Sequence, residues 1–377
     1  MGKKKRKLRA QIRKNQQVRA RRSDWTRQFK THGPELPDAA QSERVSGKGA
    51  LTRQRTIMAE EANADQPVLE VDESNCLRGR VISVHGLISL VEAEDGRRYH
   101  CATRRLLKSL VTDQRNVVAA GDVVLFRPAP STEPIGEGII ERVEPRHGVL
   151  SRTSRGRQHV IVANVDQVII VGSAAEPDIK PHLIDRFLVT AEKCAIRPVV
   201  VINKIDLVDP ASLQPLVGVY AQMGYTVLLV SAATGFGIER LRHVMQGSES
   251  AVAGQSGVGK SSLLNAIEPT LGLRVREVSR DTQKGRHTTT SAMLVPLSGG
   301  GYVVDTPGIR QFQLWDVVPE EIAGWFRDIR PFVNHCRFPD CTHTHEDDCA
   351  VKDAVADDLL DARRYDSYCH LFAGDEV

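Results

Sequence analysis

The segment Gly254-Gln255-Ser256-Gly257-Val258-Gly259-Lys260-Ser261 constrains this chain more than any other. It satisfies G-x-x-x-x-G-K-[ST], a turn that works only between a strand end and a helix start of an α/β sheet. Glycines let successive backbone N–H groups curl round a phosphate, and the helix beginning near Lys260 adds the positive end of its dipole. Lys260 is placed to reach β- and γ-phosphates and the Ser261 hydroxyl to ligate Mg²⁺, with Ser262 in the same first turn. Leu263, Leu264 and Ile267 continue a helix with one buried face. The preceding strand, Ser250–Ala253, is weak in apolar character.

A phosphate loop does not choose between guanine and adenine. Asn203-Lys204-Ile205-Asp206 does, because it ends a strand predicted over Pro198–Ile202. A carboxylate at Asp206 accepts from both N1–H and the 2-amino group of guanine, donors adenine does not present together. An adenine there would leave that carboxylate unpaired, which is the strong form of specificity. Lys204 would lie along the base and Asn203 would brace the neighbouring loop. Ser231-Ala232-Ala233, after the strand Thr226–Val230, offers a backbone N–H to guanine O6. Asp305-Thr306-Pro307-Gly308 follows the strand Tyr302–Val304, with Asp305 placed to hold Mg²⁺ through water and the Gly308 N–H to sense a γ-phosphate. In His287-Thr288-Thr289-Thr290, Thr289 is the choice for the Mg²⁺ contact, with Thr288 and Thr290 as alternates. These residues predict GTP/GDP and Mg²⁺ as ligands.

The remainder of the chain divides by texture. The first 22 residues hold eleven Lys or Arg, although the whole chain carries a net charge of only +4. Such a block cannot offset its own folding entropy, so residues 1–75 are expected to be a disordered basic arm and linker. Its chemistry suits a polyanion, since contact with phosphates releases counterions. Residues 76–147 alternate in short β-prone runs: Val81–Val84, Ile88–Val91, Arg98–Cys101, Gly121–Phe126 and Gly138–Val143, with the hairpin signal Asp95-Gly96. Five short strands fit a small barrel, either an OB-fold or an SH3-like one. From 148 to 315, apolar strands such as Gln167–Val171 alternate with amphipathic patterns such as Ile184, Phe187, Leu188 and Ala191. That alternation implies a parallel sheet covered on both faces.

Residues 316–377 are expected to form a small α-helical domain, with helices over Pro319–Ile329 and near 353–371. Three of the seven cysteines crowd between Cys336 and Cys349, which suggests metal ligation rather than a disulfide framework. Cys336-x4-Cys341-x-His343-x5-Cys349 supplies three thiolates and an imidazole, a closed tetrahedral set for one structural Zn²⁺. His335 and His345 are competing nitrogens that spacing does not eliminate. Cys76, Cys101, Cys194 and Cys369 read as packing residues. No run approaches the roughly 20 apolar residues of a membrane span, and no apolar core follows the basic start, so a cytoplasmic monomer without membrane contact is expected.

The order of the motifs is itself informative. Asn203–Asp206 and Ser231–Ala233 precede Gly254–Ser262, which precedes Thr288–Thr290 and Asp305–Gly308, whereas ordinary GTPases begin with the phosphate loop. This order, with a barrel before and a Cys/His cluster after, resembles the ribosome small subunit-dependent, circularly permuted GTPase family RsgA (also YjeQ or YloQ). The likeness runs over roughly residues 77–371, and Gly285-Arg-His-Thr-Thr-Thr290 and the cluster spacing are its most specific parts. The resemblance implies an OB-fold, a permuted P-loop GTPase and a zinc domain in which His343 is the nitrogen ligand. It also implies slow intrinsic hydrolysis, stimulation by the small ribosomal subunit, contact with its rRNA, and a role in late maturation of that subunit. A GTPase acting on another RNA and a non-enzymatic RNA-binding scaffold are the competing readings.

Two positions depart from expectation. Asp316 follows Leu314-Trp315 where some relatives carry a histidine, so that histidine's role does not transfer. Ile309 follows the switch glycine where Ras-like enzymes use a water-orienting glutamine, and it can neither donate nor accept a hydrogen bond. Permutation leaves Ile309–Trp315 continuous with the Cys/His segment, so loss of a γ-phosphate is expected to loosen an RNA-gripping arrangement of barrel and zinc domain.

Overall fold

The computed structural model describes the backbone of Lys5–Gln11, Gln54–Glu60 and Val68–Leu69, and residues 71–104, 107, 117–130, 134–154, 157–273, 292–305 and 318–374, with the backbone alone at 152–154, 157–158 and 305. They belong to two compact units, Met1–Asn164 with Ser291–Met293, and Val165–Thr290 with Leu294–Val377.

In the first unit, β1 (Leu77–His85), β2 (Ile88–Ala93), β3 (Arg98–Thr103), β4 (Val123–Ala129) and β5 (Gly136–Val143) close on themselves in the order β1-β2-β3-β5-β4-β1. The pair β3–β5 is parallel, from Tyr99 opposite Gly136 to Thr103 opposite Ile140, and the other pairs are antiparallel. This closure is the OB arrangement, so the SH3-like alternative falls. Alternation sends Val81, Val91, Tyr99, Cys101, Val124, Phe126 and Ile140 inward, with the Tyr99 and Phe126 rings 4.9 Å apart. At one end the buried Asp122 accepts from Arg146 Nε at 2.7 Å and from the Ala119 N–H at 2.8 Å.

A hairpin follows, β6 (Leu150–Ser154) and β7 (Arg157–Val162). Ala119, Val160 and Ala163 share a buried cluster, and Asn164 Nδ2 donates to Gly121 O at 2.8 Å. The first unit runs on to Asn164. Within the stretch read as a disordered arm, Lys5–Gln11 pairs antiparallel with Gln54–Glu60, which also meets Val68–Leu69. The register sets Lys5 opposite Glu60 and Leu8 opposite Ile57, a pairing between distant segments that local periodicity cannot reveal. The remainder of the arm lies outside the described residues.

The second unit contains β8 (Gln167–Ser173), α1 (Pro181–Lys193), β9 (Arg197–Asn203), α2 (Gln214–Gln222), β10 (Thr226–Leu229), α3 (Ile238–Met245), β11 (Glu249–Ala253), α4 (Lys260–Ile267), β12 (Met293–Pro296) from Leu294 onward, and β13 (Tyr302–Asp305). The strands β10-β9-β8-β11-β13 are parallel neighbours in that order. Ile169, Val171, Val199 and Val201 pack with Ile238, Leu241 and Met245 of α3 and Leu263 and Ile267 of α4. The weak strand Ser250–Ala253 lies inside the sheet. Its small residues fit between β8 and β13, where Gln167 Nε2 donates to Ser250 Oγ at 2.9 Å.

The C-terminal segment adds α5 (Ile322–Trp325), α6 (Arg330–Val333), α7 (Ala350–Ala356) and α8 (Ala362–Ala373). The single helix predicted over Pro319–Ile329 is broken: Phe326 is extended at φ −84°, ψ 114°, because Pro331 starts a new helix and Phe326 is drawn fully into the core. Of the apolar set Ile322, Trp325, Phe326 and Ile329, the structure buries all but Trp325, which is partly buried. The last predicted helix is two, separated at Asp358, whose φ is +57°, and restarted by Asp361 as N-cap to the Arg363 N–H. Among the described residues no helix is long and apolar enough to cross a membrane.

Candidate functional site

The permuted order resolves at the carboxyl ends of the parallel strands, where ligands of such sheets bind. β11 leads into the phosphate loop, β9 into Asn203–Asp206, and β10 is followed by Ser231. With β11 between β8 and β13, the base loops stand on one side of the phosphate loop and the strand leading to Asp305 on the other.

Two glycines of the loop are dictated by contact. Gly254 has φ +140°, and a Cβ there would sit 2.2 Å from Val171 O; Gly259 has φ +90°, and its Cβ would sit 2.4 Å from Asn203 Nδ2. No side chain fits at either point, so the loop lies directly on β8 and on the end of β9. Gly259 also precedes the first turn of α4, which begins with Lys260 and carries Ser261 and Ser262. Lys260 Nζ donates to Gly254 O at 2.7 Å and Gln255 O at 2.6 Å, holding its ammonium over the loop.

Asn203, buried at 1% exposure, is the joint of the site. Its Nδ2 donates to Val258 O at 2.9 Å, and its Oδ1 accepts from the Ala232 N–H at 3.2 Å, within the Ser231–Ala233 segment expected to offer a backbone N–H to guanine O6. Asp206 is exposed and accepts from Ser231 Oγ. Lys204 is held in the left-handed region at φ +62°, and its Nζ donates to the carbonyl of Glu176. A strained non-glycine residue at this point is the kind of backbone cost that functional loops carry. The side chains of Ile205 and Val258 are buried at 6% and 2%, so both present backbone alone to the cleft. Gln255, Ser256 and Gly257 form the outer part of the loop. Thr289, Gly308, Ile309 and Asp316 lie outside the described residues, and Asp305 is described by its backbone at the end of β13.

One contact was not legible beforehand. Glu268, just after α4, accepts from the Ser298 N–H at 2.8 Å, from Ser298 Oγ, and from Thr270 Oγ1 at 2.6 Å. The hydrogen bonds of Ser298 and then of Thr270 hold its carboxyl down at about 2. It ties the helix of the phosphate loop to the turn between β12 and β13.

The second cluster is in the C-terminal segment. Ligand atoms of Cys336, Cys341, His343 and Cys349 all lie within 4.8 Å of one another. His343 Nδ1 is 3.3 Å from Cys336 Sγ and 3.5 Å from Cys349 Sγ, while His345 points away with a side chain 81% exposed. Tyr365 Oη donates to His343 O at 2.7 Å and Tyr368 Oη to Thr342 O at 2.6 Å, fixing the loop from α8. Burial, with the neighbouring thiols, pushes the Cys341 thiol up to about 12, although the His343 N–H opposes this.

Barrel, permuted sheet and phosphate loop together define a circularly permuted P-loop GTPase. The family described as RsgA GTPase matches residues 143–315. The small ribosomal subunit biogenesis GTPase RsgA of Sodalis glossinidius (strain morsitans) is 41% identical over 330 residues, 85% of this chain and 91% of that protein. Its namesake in Chlorobaculum parvum is 41% identical over 78% of this chain and 97% of its own length. Among solved structures, YjeQ from Thermotoga maritima superposes with a TM-score of 0.65 at 38% identity, covering 79% of this chain and 98% of that one. YloQ, described as a circularly permuted GTPase, gives 0.62 at 30% identity, covering 81% and 96%. The chain belongs to the RsgA GTPase family and is a GTP hydrolase.

Proposed function

We propose that this chain hydrolyses GTP in the cleft built on Asn203 and couples that hydrolysis to late maturation of the small ribosomal subunit in the cytoplasm. The observation that carries the reading is the Asn203 joint, which binds the phosphate loop and both base loops into one cleft. In it Asp206 reads guanine, Lys204 lies along the base, and Lys260 neutralises phosphate charge. Ser261, Thr289 and Asp305 serve Mg²⁺ and Gly308 senses the γ-phosphate. The ribosomal target is supported by the names of the relatives and by the basic arm, whose Lys and Arg suit rRNA phosphates.

Cys336, Cys341, His343 and Cys349 would hold a single zinc ion, which binds cysteine as thiolate. All four positions are filled by protein, so the ion's chemistry there is structural. Ile309 gives the site no group to orient water, so a monomer alone turns over slowly and the ribosomal subunit completes the site. The test is GTP turnover of the full chain alone, with purified small subunits, and with large subunits. Only the small subunit raises the rate, and Lys260→Ala abolishes it. Equal stimulation by both subunits would move the target to another RNA, and full turnover by Lys260→Ala would leave an RNA-binding scaffold.

A further inference from the structure

The C-terminal segment grips α1 through two arginines. Arg364 of α8, 2% exposed, places Nη1 2.5 Å from Asp185 Oδ1, and its Nε and Nη2 reach the two oxygens of Asp328 at 2.8 and 3.0 Å. Its guanidinium lies 4.4 Å from the Phe326 ring centroid, and Tyr220 Oη donates to Asp185 at 2.9 Å. Asp185 is fully buried, so this pair cannot let go without leaving charge in the core. Two turns further along the same face of α1, Glu192 meets Arg327 Nε at 2.7 Å. Arg327 also covers the Tyr225 ring at 4.3 Å and donates to Met223 O at 3.2 Å.

The other end of α1 leads to the base loop. Residues 174–180 connect β8 to α1, and the first part of that connection touches the guanine-reading motif twice. The Ala174 N–H donates to Asn203 O at 2.8 Å, and Glu176 O accepts from Lys204 Nζ. Asp185 lies in the second turn of α1 beyond Pro181, so the first turn of the helix and the four loop residues 177–180 separate it from the carbonyl that holds Lys204.

We propose that the Arg364–Asp185 pair is a positioning element for guanine binding: the C-terminal segment, through α1 and Glu176, fixes Lys204 along the base, so that a partner moving the Cys/His segment changes the rate of GDP release. This rests on the guanine-site reading above. It adds a route from the nucleotide to the C-terminal segment that bypasses the switch. Coupling between sites is reciprocal, so nucleotide must in turn steady α8.

The test uses the full chain and dissociation of a fluorescent GDP. Arg364→Lys keeps the charge and loses the fork that spans two carboxylates. It should speed GDP release by about 5- to 100-fold, the usual range of coupling between sites. Lys204→Ala should do the same, and the double variant should release GDP no faster than Lys204→Ala alone, because both cut one path. Fully multiplicative effects, or an unchanged rate in folded Arg364→Lys, overturn the proposal. An unchanged rate in Lys204→Ala instead overturns the guanine-site reading beneath it. Should Arg364→Lys not fold, amide exchange of Ala362–Ala373 decides. GDP should slow it in the native chain but not in Lys204→Ala saturated with GDP, and equal slowing in both sinks the route.

Discussion

Asn203 donates to the carbonyl of Val258 at 2.9 Å, joining the end of one strand to the phosphate loop after another. Cutting this bond leaves a buried carbonyl without a partner, which costs about 1–3 kcal/mol. Asn203→Ala should therefore lower both melting temperature and GDP affinity, measured by calorimetry and by titration. A protein that melts normally and binds GDP as before would show that the loops are held some other way.

Asp206 presents its carboxylate at the exposed edge of the same cleft, with Ser231 Oγ as its partner within the protein. Asparagine at this position still accepts from that hydroxyl, so the fold should survive. The charge that pairs with the guanine N1–H and 2-amino group is lost, worth about 1.5–3 kcal/mol. Asp206→Asn should reduce the preference for GTP over ATP about 10- to 100-fold in competition binding. An unaltered preference would place base recognition elsewhere.

How far the fold was legible follows from the range of the forces involved. The strands of the barrel and of the sheet are visible because alternation and apolar runs are local, and the glycines at 254 and 259 because close approach leaves glycine as the sole choice. The break at Phe326 was hidden, since Ile322, Phe326 and Ile329 keep helical spacing although the backbone turns extended to reach the core. The pairing of Lys5–Gln11 with Gln54–Glu60 joins segments far apart and leaves no periodic trace. The N-terminal unit's hold on β6 and β7, and the grip of Arg364 on Asp185, depend on partners distant in the chain. His343 and His345 are equivalent by spacing, and the structure separates them by direction alone.

Glu268 gives the phosphate-loop helix a pH dependence. Its carboxyl is held from 4.5 down to about 2 by Ser298 and Thr270. A lowered folded-state value stabilises above the ordinary one and loses that stabilisation as pH falls through the window from 4.5 to about 2. Glu268→Gln should melt earlier than the native chain at neutral pH, and the gap should close across that acid window. A gap independent of pH would mean that shape, not charge, makes the contact.

The Cys/His cluster predicts metal content residue by residue. His343 is 2% exposed with Nδ1 facing two thiols, whereas the His345 side chain is 81% exposed. His343→Ala and Cys349→Ser should each lose zinc by elemental analysis, and His345→Ala should keep it. A segment stapled by Tyr365 and Tyr368 to the cluster loop should loosen with the metal, since a structural zinc of this kind contributes on the order of 10 kcal/mol. Chelation should therefore abolish the melting of α7 and α8 as one body with the sheet, seen as rapid amide exchange over residues 350–373. Zinc retained in His343→Ala and lost in His345→Ala would reverse the ligand assignment and, with it, the reading of how α8 is held.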